Sequence, residues 1–269
     1  MQWKGARKLN LWRIRHRLRK SLAQRGVIAT ARLLFQKGLQ LPSSTIERPK
    51  EYAPVHPFDR QFGVETSGLL FAEDLSSGSR KDLFNAGYFG VAPSAFRQIL
   101  NRLQLNFEKY TFVDLGSGKG RALLIASDYP FRAIVGVELS PKLHAIAVAN
   151  IAIYRGSAQR CRDIRSIEAD ATEYSFPDGP LVVYLWNPFE APVFASVLAN
   201  LESALQRDPR EVYIVYIQPD LDRLLEASSF WRKLWRGEFQ LSEEDYAAHA
   251  FPPRTEICSV YRSAFPGSH

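Results

Sequence analysis

The residues best placed to do chemistry begin with Asp114-Leu115-Gly116-Ser117-Gly118-Lys119-Gly120. This segment ends an apolar run over 110–115 and leads into a helical pattern from 121. Glycine at alternate positions lets the backbone bend sharply and approach a ligand, because no Cβ stands in the way. A helix starting just beyond offers unpaired N–H groups and the positive end of its dipole. Two further carboxylates close the next strand-like runs: Glu138, 18 residues after Gly120, and Asp170. A carboxylate such as Glu138 has two oxygens and can accept from both hydroxyls of a ribose. A fourth run, 181–186, passes into Asn187-Pro188-Phe189-Glu190.

Two common glycine motifs are excluded. A dinucleotide fingerprint needs glycine at the first, third and sixth positions, and the sixth position counted from Gly116 is Arg121. A P-loop needs Gly-Lys followed by Ser or Thr, whereas Gly118-Lys119 is followed by Gly120. What remains is an acidic residue two positions ahead of a G-x-G-x-G run.

The elements that must hold these residues follow from periodicity. Pro93-Ser94 opens a helix with Phe96, Ile99, Leu100 and Leu103 on one face. Apolar runs at 110–115, 133–139, 181–186 and 212–217, and the more polar run 164–170, read as strands. Helices between them begin at Arg121, at Ser140-Pro141 (a cap residue and then proline), and along Phe194, Val197, Leu198, Leu201 and Leu205. Runs at 234–239 and 256–261 read as a closing pair of strands. Strand and helix alternate, and the central strands are apolar on both faces. That predicts an α/β fold: a mostly parallel sheet with helices on both faces, its ligand beyond the carboxyl ends of the strands.

Val113-Asp114-Leu115-Gly116-Ser117-Gly118-Lys119-Gly120 resembles the first motif of the class I S-adenosylmethionine-dependent methyltransferases. The resemblance spans about residues 88–218 and implies a seven-stranded Rossmann-like methyltransferase sheet. It also implies that the bend of Gly116, Ser117, Gly118 and Gly120 wraps the amino-acid end of the methyl donor, with Asp114 on its ammonium. By the same likeness Glu138, with Leu139 beside it, takes the ribose. Asp170 stands near the exocyclic amine of adenine, and Ala171 offers its N–H. The fourth tip is similar to the N-P-P-F/Y motif of amino-group methyltransferases but lacks the second proline. It is also similar to the Asn-Phe strand end of Dot1-like lysine methyltransferases, which carry a tyrosine-containing covering loop where Tyr88-Phe89-Gly90-Val91-Ala92-Pro93-Ser94 stands. Asn187, Phe189 and Tyr88 are therefore the expected catalytic set. Asn187 orients an acceptor amine, and the aromatic Phe189 flanks a cationic transition state. The implied acceptor is a nitrogen, on a protein lysine or a small-molecule amine. The alternative is a membrane-peripheral or scaffold protein that has this fold without turnover.

Charge divides the chain of 269 residues unevenly. Residues 1–40 hold 11 of the 35 Lys and Arg, ahead of the first acid, Glu47; the rest carries 24 basic against 28 acidic residues. The net charge of +7 therefore belongs to the arm. Leu11, Ile14, Leu18 and Leu22 form a helical stripe in it, bordered by Arg13, Arg15, Arg17, Arg19 and Lys20. Four uses fit this basic amphipathic arm: packing on the domain, an anionic membrane surface, nucleic-acid phosphates, or a mitochondrial-type targeting segment. The expected organisation is the arm over 1–40, a loop or lid region over 41–92 and the cofactor-binding domain over 93–269. Cys161 and Cys258 form no CxxC and no metal-ligand spacing. They read as reduced thiols, and the expected location is cytoplasmic, peripheral to a membrane if the arm binds one.

Overall fold

The computed structural model describes residues 55–70, 88–248 and 254–264. The described residues all fall in one compact unit of the chain. The predicted basic arm lies outside the described residues. Of the predicted lid region, 55–70 and 88–92 are described; they hold helix α1 (Pro57–Phe62) and the short strands β1 (Leu69–Leu70) and β2 (Tyr88–Phe89), which pair antiparallel.

Seven strands make the main sheet: β3 (Thr111–Leu115), β4 (Ala133–Glu138), β5 (Ile164–Glu168), β6 (Leu181–Trp186), β7 (Val212–Ile217), β8 (Trp231–Gln240) and β9 (Thr255–Ser263). Their order is β5-β4-β3-β6-β7-β9-β8. The four pairings among β3 to β7 are parallel, and only β9, slotted between β7 and β8, runs the other way. The expected seven-stranded, mostly parallel α/β sheet is thus observed. The predicted closing pair exists, but its strands are longer than their apolar runs, and the insertion of β9 was not foreseen.

Alternating side chains send the two faces of the central strands into separate cores. Phe112, Val182, Tyr184 and Val215 enter one; Val113, Leu115, Val183 and Leu185 enter the other. The first is covered by helices α2 (Pro93–Leu103) and α3 (Arg121–Ala126), whose Phe96, Ile99, Leu100 and Leu123 are fully buried. The second is covered by α5 (Ala191–Arg207) through Phe194, Val197, Leu198, Leu201 and Leu205. Each such burial contributes about 1.5–3 kcal/mol before entropy is counted. Helix α4 (Pro141–Ile153) starts where Ser140 Oγ accepts the Leu143 N–H at 3.5 Å. Two short helices, α6 (Asp222–Glu226) and α7 (Glu243–Ala248), complete the α-helices among the described residues.

Strand β5 ends at Glu168, two residues before the predicted end. It is an edge strand with mostly exposed side chains, so little holds it in ladder geometry. Asp170 instead turns the chain: its Oδ1 accepts the Thr172 N–H at 2.8 Å and the Thr172 hydroxyl at 2.7 Å. His144, at the start of α4, bonds Ser166 Oγ at 2.8 Å and ties that helix to the edge.

Candidate active site

The glycine bend sits at the carboxyl end of the sheet, between the tips of β3 and β4. The N–H groups of Gly116 and Ser117 both donate to Val137 O, at 2.8 and 3.1 Å. Gly116, Gly118 and Gly120 have φ of +81, +57 and +86°, a region other residues enter only at a cost. Space forbids a side chain as well. A Cβ on Gly116 would stand 2.7 Å from Pro188 Cβ, and one on Gly118 would stand 2.3 Å from the Tyr88 ring. Tyr88 and Pro188 therefore lie directly on the bend.

Glu138 is 8% exposed, and its carboxylate is already in use. One oxygen accepts the Gly118 N–H at 2.7 Å; the other accepts the Ser140 N–H at 2.8 Å. Burial pushes its pKa up, and the amides of Ser140, Gly118 and Leu139 pull it part of the way back. The residue expected to grip a ribose first of all holds the bend to the tip of β4, keeping one spare lone pair or more for a ligand. Leu139, beside it, is half-buried.

Asp114 is different. It is 3% exposed, and among the described residues it has no hydrogen-bond or ion-pair partner. Burial first, and then the nearby charge of Glu138, hold its carboxyl well above the ordinary range. A buried carboxylate beside a second one is stabilised by an incoming cation. Three more polar atoms nearby are buried without a partner: Ser117 Oγ, Tyr184 OH and Trp186 Nε1. Together with Asp114 and Gly116 they belong to residues lining one cleft, walled on its other side by Tyr88, Phe89 and Pro188. Buried orphan groups are uncommon in folded proteins, and a cleft is where a ligand can satisfy them. The cleft encloses ≈ 50 Å³. Pockets that enclose a cofactor-sized ligand run from roughly 300 Å³; fuller enclosure here would come from Tyr88 or Pro188 moving off the glycines.

Sequence reading missed what fastens the covering segment. Arg121, the residue that breaks the dinucleotide pattern, is 4% exposed at the start of α3. Its guanidinium donates to Thr66 Oγ1 at 2.6 Å, Thr66 O at 2.9 Å and Val91 O at 3.2 Å, and faces Asp59 at 3.7 Å. Asp59 accepts the N–H groups of Thr66 and Ser67, both at 2.7 Å, and the Thr66 hydroxyl. Lys119 Nζ donates to Glu65 Oε1 and Ser67 O, both at 2.8 Å. Tyr88 OH, kept protonated by burial, donates to Thr66 O at 2.6 Å. Residues 65–67 and Tyr88 are thus tied to both residues flanking Gly120. No local signal announces this, because the contacts that Arg121, Lys119 and Tyr88 make are all long-range.

The remaining predicted residues are not all gathered at the cleft. Asn187 leaves β6 with φ +43° and is half-buried; its Oδ1 accepts from Tyr216 OH at 2.9 Å, and its Nδ2 donates to Asp220 at 3.1 Å. Phe189 packs against the opposite core, among the residues around Phe194 and Tyr216. Ala171 is buried in that same core, and Asp170 caps its own turn. None of Asn187, Phe189, Asp170 or Ala171 lines the described cleft.

No family model matches the chain. No curated protein matches it in sequence either. Solved structures do resemble it. One is a ribosomal protein L11 methylase from Lactobacillus delbrueckii subsp. bulgaricus, 14% identical, covering 63% of this chain and 78% of that one, with a TM-score of 0.42. Another is a precorrin-6y C5,15-methyltransferase from Geobacter metallireducens, 16% identical over 62% of this chain and 85% of that one, TM-score 0.44. A third is TrmN from Thermus thermophilus, 16% identical over 62% and 48%, TM-score 0.43. At such identities the chemistry has to come from this chain's own residues. Its strand order, with one reversed strand inserted next to the edge, decides the architecture. The fold is the Rossmann-like methyltransferase fold.

Proposed function

We propose that this chain is an S-adenosylmethionine-dependent methyltransferase acting on a nitrogen acceptor. The observation that carries the reading is Asp114: a buried carboxylate with no described partner, at the tip of the first central strand, against a bend only glycine can make. The methionine end of S-adenosylmethionine brings a cationic amine, the group this carboxylate lacks. Ser117, Tyr184 and Trp186 offer hydrogen-bond groups to the polar remainder of that end, and the lone-pair capacity left on Glu138 serves the ribose. When bound, the cofactor supplies a methyl carbon on a positively charged sulfur, which a nitrogen takes with its lone pair while the C–S electron pair stays on sulfur. The protein's own work is then to bind, align and keep water out. Tyr88, Phe89 and Pro188 cover the cleft, and Asn187 orients the acceptor. A protein lysine of the Dot1-like kind, or a small-molecule amine, fits this reading.

Calorimetric titration of the full chain with S-adenosylmethionine tests the binding half. Heat of binding that disappears in Asp114→Ala is the expected result; no heat in the wild type rejects the reading. Transfer of labelled methyl groups to cell extract, lost in Asn187→Ala, tests catalysis. Binding without transfer in either protein would favour a scaffold that has the fold without turnover.

A further inference from the structure

Two neighbouring strand tips carry a feature that the cofactor cleft does not use. Strands β6 and β7 lie side by side, with Trp186 opposite Ile217. Each is followed by a left-handed residue that is not glycine: Asn187 at φ +43° and Gln218 at φ +48°. Asn tolerates this region, but for Gln it costs on the order of 1 kcal/mol. Such strain persists where the surroundings over-determine it, and here each side-chain amide is anchored on a carboxylate. Asn187 Nδ2 donates to Asp220, and Gln218 Nε2 donates to Glu256 at 2.7 Å.

The polarity of the Asn187 amide is decided by its partners. A carboxylate only accepts, so Asp220 draws the NH2 group towards itself. On the other side Tyr216 is a phenol that burial keeps protonated; its oxygen accepts from the Leu221 N–H, and its own proton goes to Asn187 Oδ1. A chain of donors therefore runs Leu221 N–H, Tyr216 O–H, Asn187 N–H, Asp220. The oxygen of Asn187 keeps its second lone pair, a hydrogen-bond acceptor at a fixed place. Asp220 is exposed and adds negative charge at the rim.

We infer that Tyr216 and Asp220 are positioning residues that lock the Asn187 amide with its oxygen turned to accept from the substrate. The acceptor is then a nitrogen that bears hydrogen and reacts as the neutral amine: its N–H donates to Asn187 Oδ1, its lone pair takes the methyl carbon, and the surplus proton leaves to solvent after transfer. The idea rests on the methyltransferase reading above and adds to it the two residues, Tyr216 and Asp220, that hold Asn187 in its orienting role.

The test uses the full chain and two readouts. In the ligand-free protein, the side-chain amide signals of Asn187 in a 15N spectrum, assigned by their loss in Asn187→Asp, should shift in Tyr216→Phe and in Asp220→Asn. Unchanged signals overturn the inference whatever the chain binds. With S-adenosylmethionine labelled in the methyl group and fractionated cell extract, both variants should transfer roughly ten-fold more slowly, with calorimetric affinity for the cofactor unchanged. Asn187→Asp alone should be slow, because two carboxylates then face each other, and should recover activity at acid pH. Adding Asp220→Asn to it restores a donor–acceptor pair and should recover activity at neutral pH, which a purely structural role does not predict. Label found on oxygen or carbon, wild-type rates in both single variants, or cofactor binding with no transfer to any fraction would overturn the inference. If the wild type binds no cofactor, the parent reading fails, and the spectrum still decides whether the amide is locked.

Discussion

The tips of β3 and β4 and the tips of β6 and β7 stand at the same end of one sheet and solve the same problem in different ways. At the first pair the chain bends through three left-handed glycines, and a buried side-chain carboxylate, Glu138, accepts from backbone N–H groups. At the second pair it bends through Asn187 and Gln218, and carboxylates accept from side-chain amides. A bend made of backbone is rigid and sterically exclusive. A bend made of side chains can be changed one group at a time. The first suits a ligand that is always the same, and the second suits an acceptor that sets specificity.

The largest effect that sharpens this contrast is expected at Arg121. Arg121→Met leaves Asp59 buried without its cation, a loss of about 3–5 kcal/mol, seen as a large drop in Tm and release of the covering segment to protease. Gly118→Ala should follow, at about 3 kcal/mol from a left-handed Cβ driven into Tyr88; Tyr88→Ala in the same chain should recover the packing share of that loss but not the backbone share. Asp114→Asn has opposite effects on folding and binding. The carboxyl of Asp114 is held above its ordinary range. It therefore favours folding most below its unfolded value, and that contribution is lost as pH rises through the folded value. The neutral amide removes the burden, so Tm at pH 7 should rise while cofactor affinity falls by about 1–3 kcal/mol. In the wild type, affinity should weaken on acidification as Asp114 takes up a proton, and Asp114→Asn should flatten that dependence. Asn187→Gly is expected to change stability least, by under about 1 kcal/mol, yet to slow methyl transfer. A large stability loss there would mean that the second pair of tips is as rigid as the first.

The contrast also explains what was legible. The glycines, their aspartate and the strands beneath them could be read because backbone needs at a bend restrict residue type, and because strands buried on both faces are continuously apolar. The edges were harder: β5 stops early because exposed side chains carry no periodic signal, and nothing in the runs at 234–239 and 256–261 reveals that β9 enters beside β7. Asp170 was placed by analogy at a strand tip, but its carboxylate has a nearer partner in Thr172. Asn187 was singled out as a residue type in a motif, whereas Tyr216 and Asp220, which orient it, are 29 and 33 positions away. The Arg121–Asp59–Thr66 clamp joins segments 55 to 62 positions apart and leaves no local mark.

One consequence follows from the carboxylate of Glu138 holding the Gly118 N–H. The loop is assembled while the protein folds, so its ordering entropy is spent then and not when a guest arrives. Association should therefore be limited by the lifting of Tyr88 and Pro188, giving an on-rate that is slow for diffusion and steeply dependent on temperature. Loss of Glu138 should show itself as a softer protein even before any partner is added.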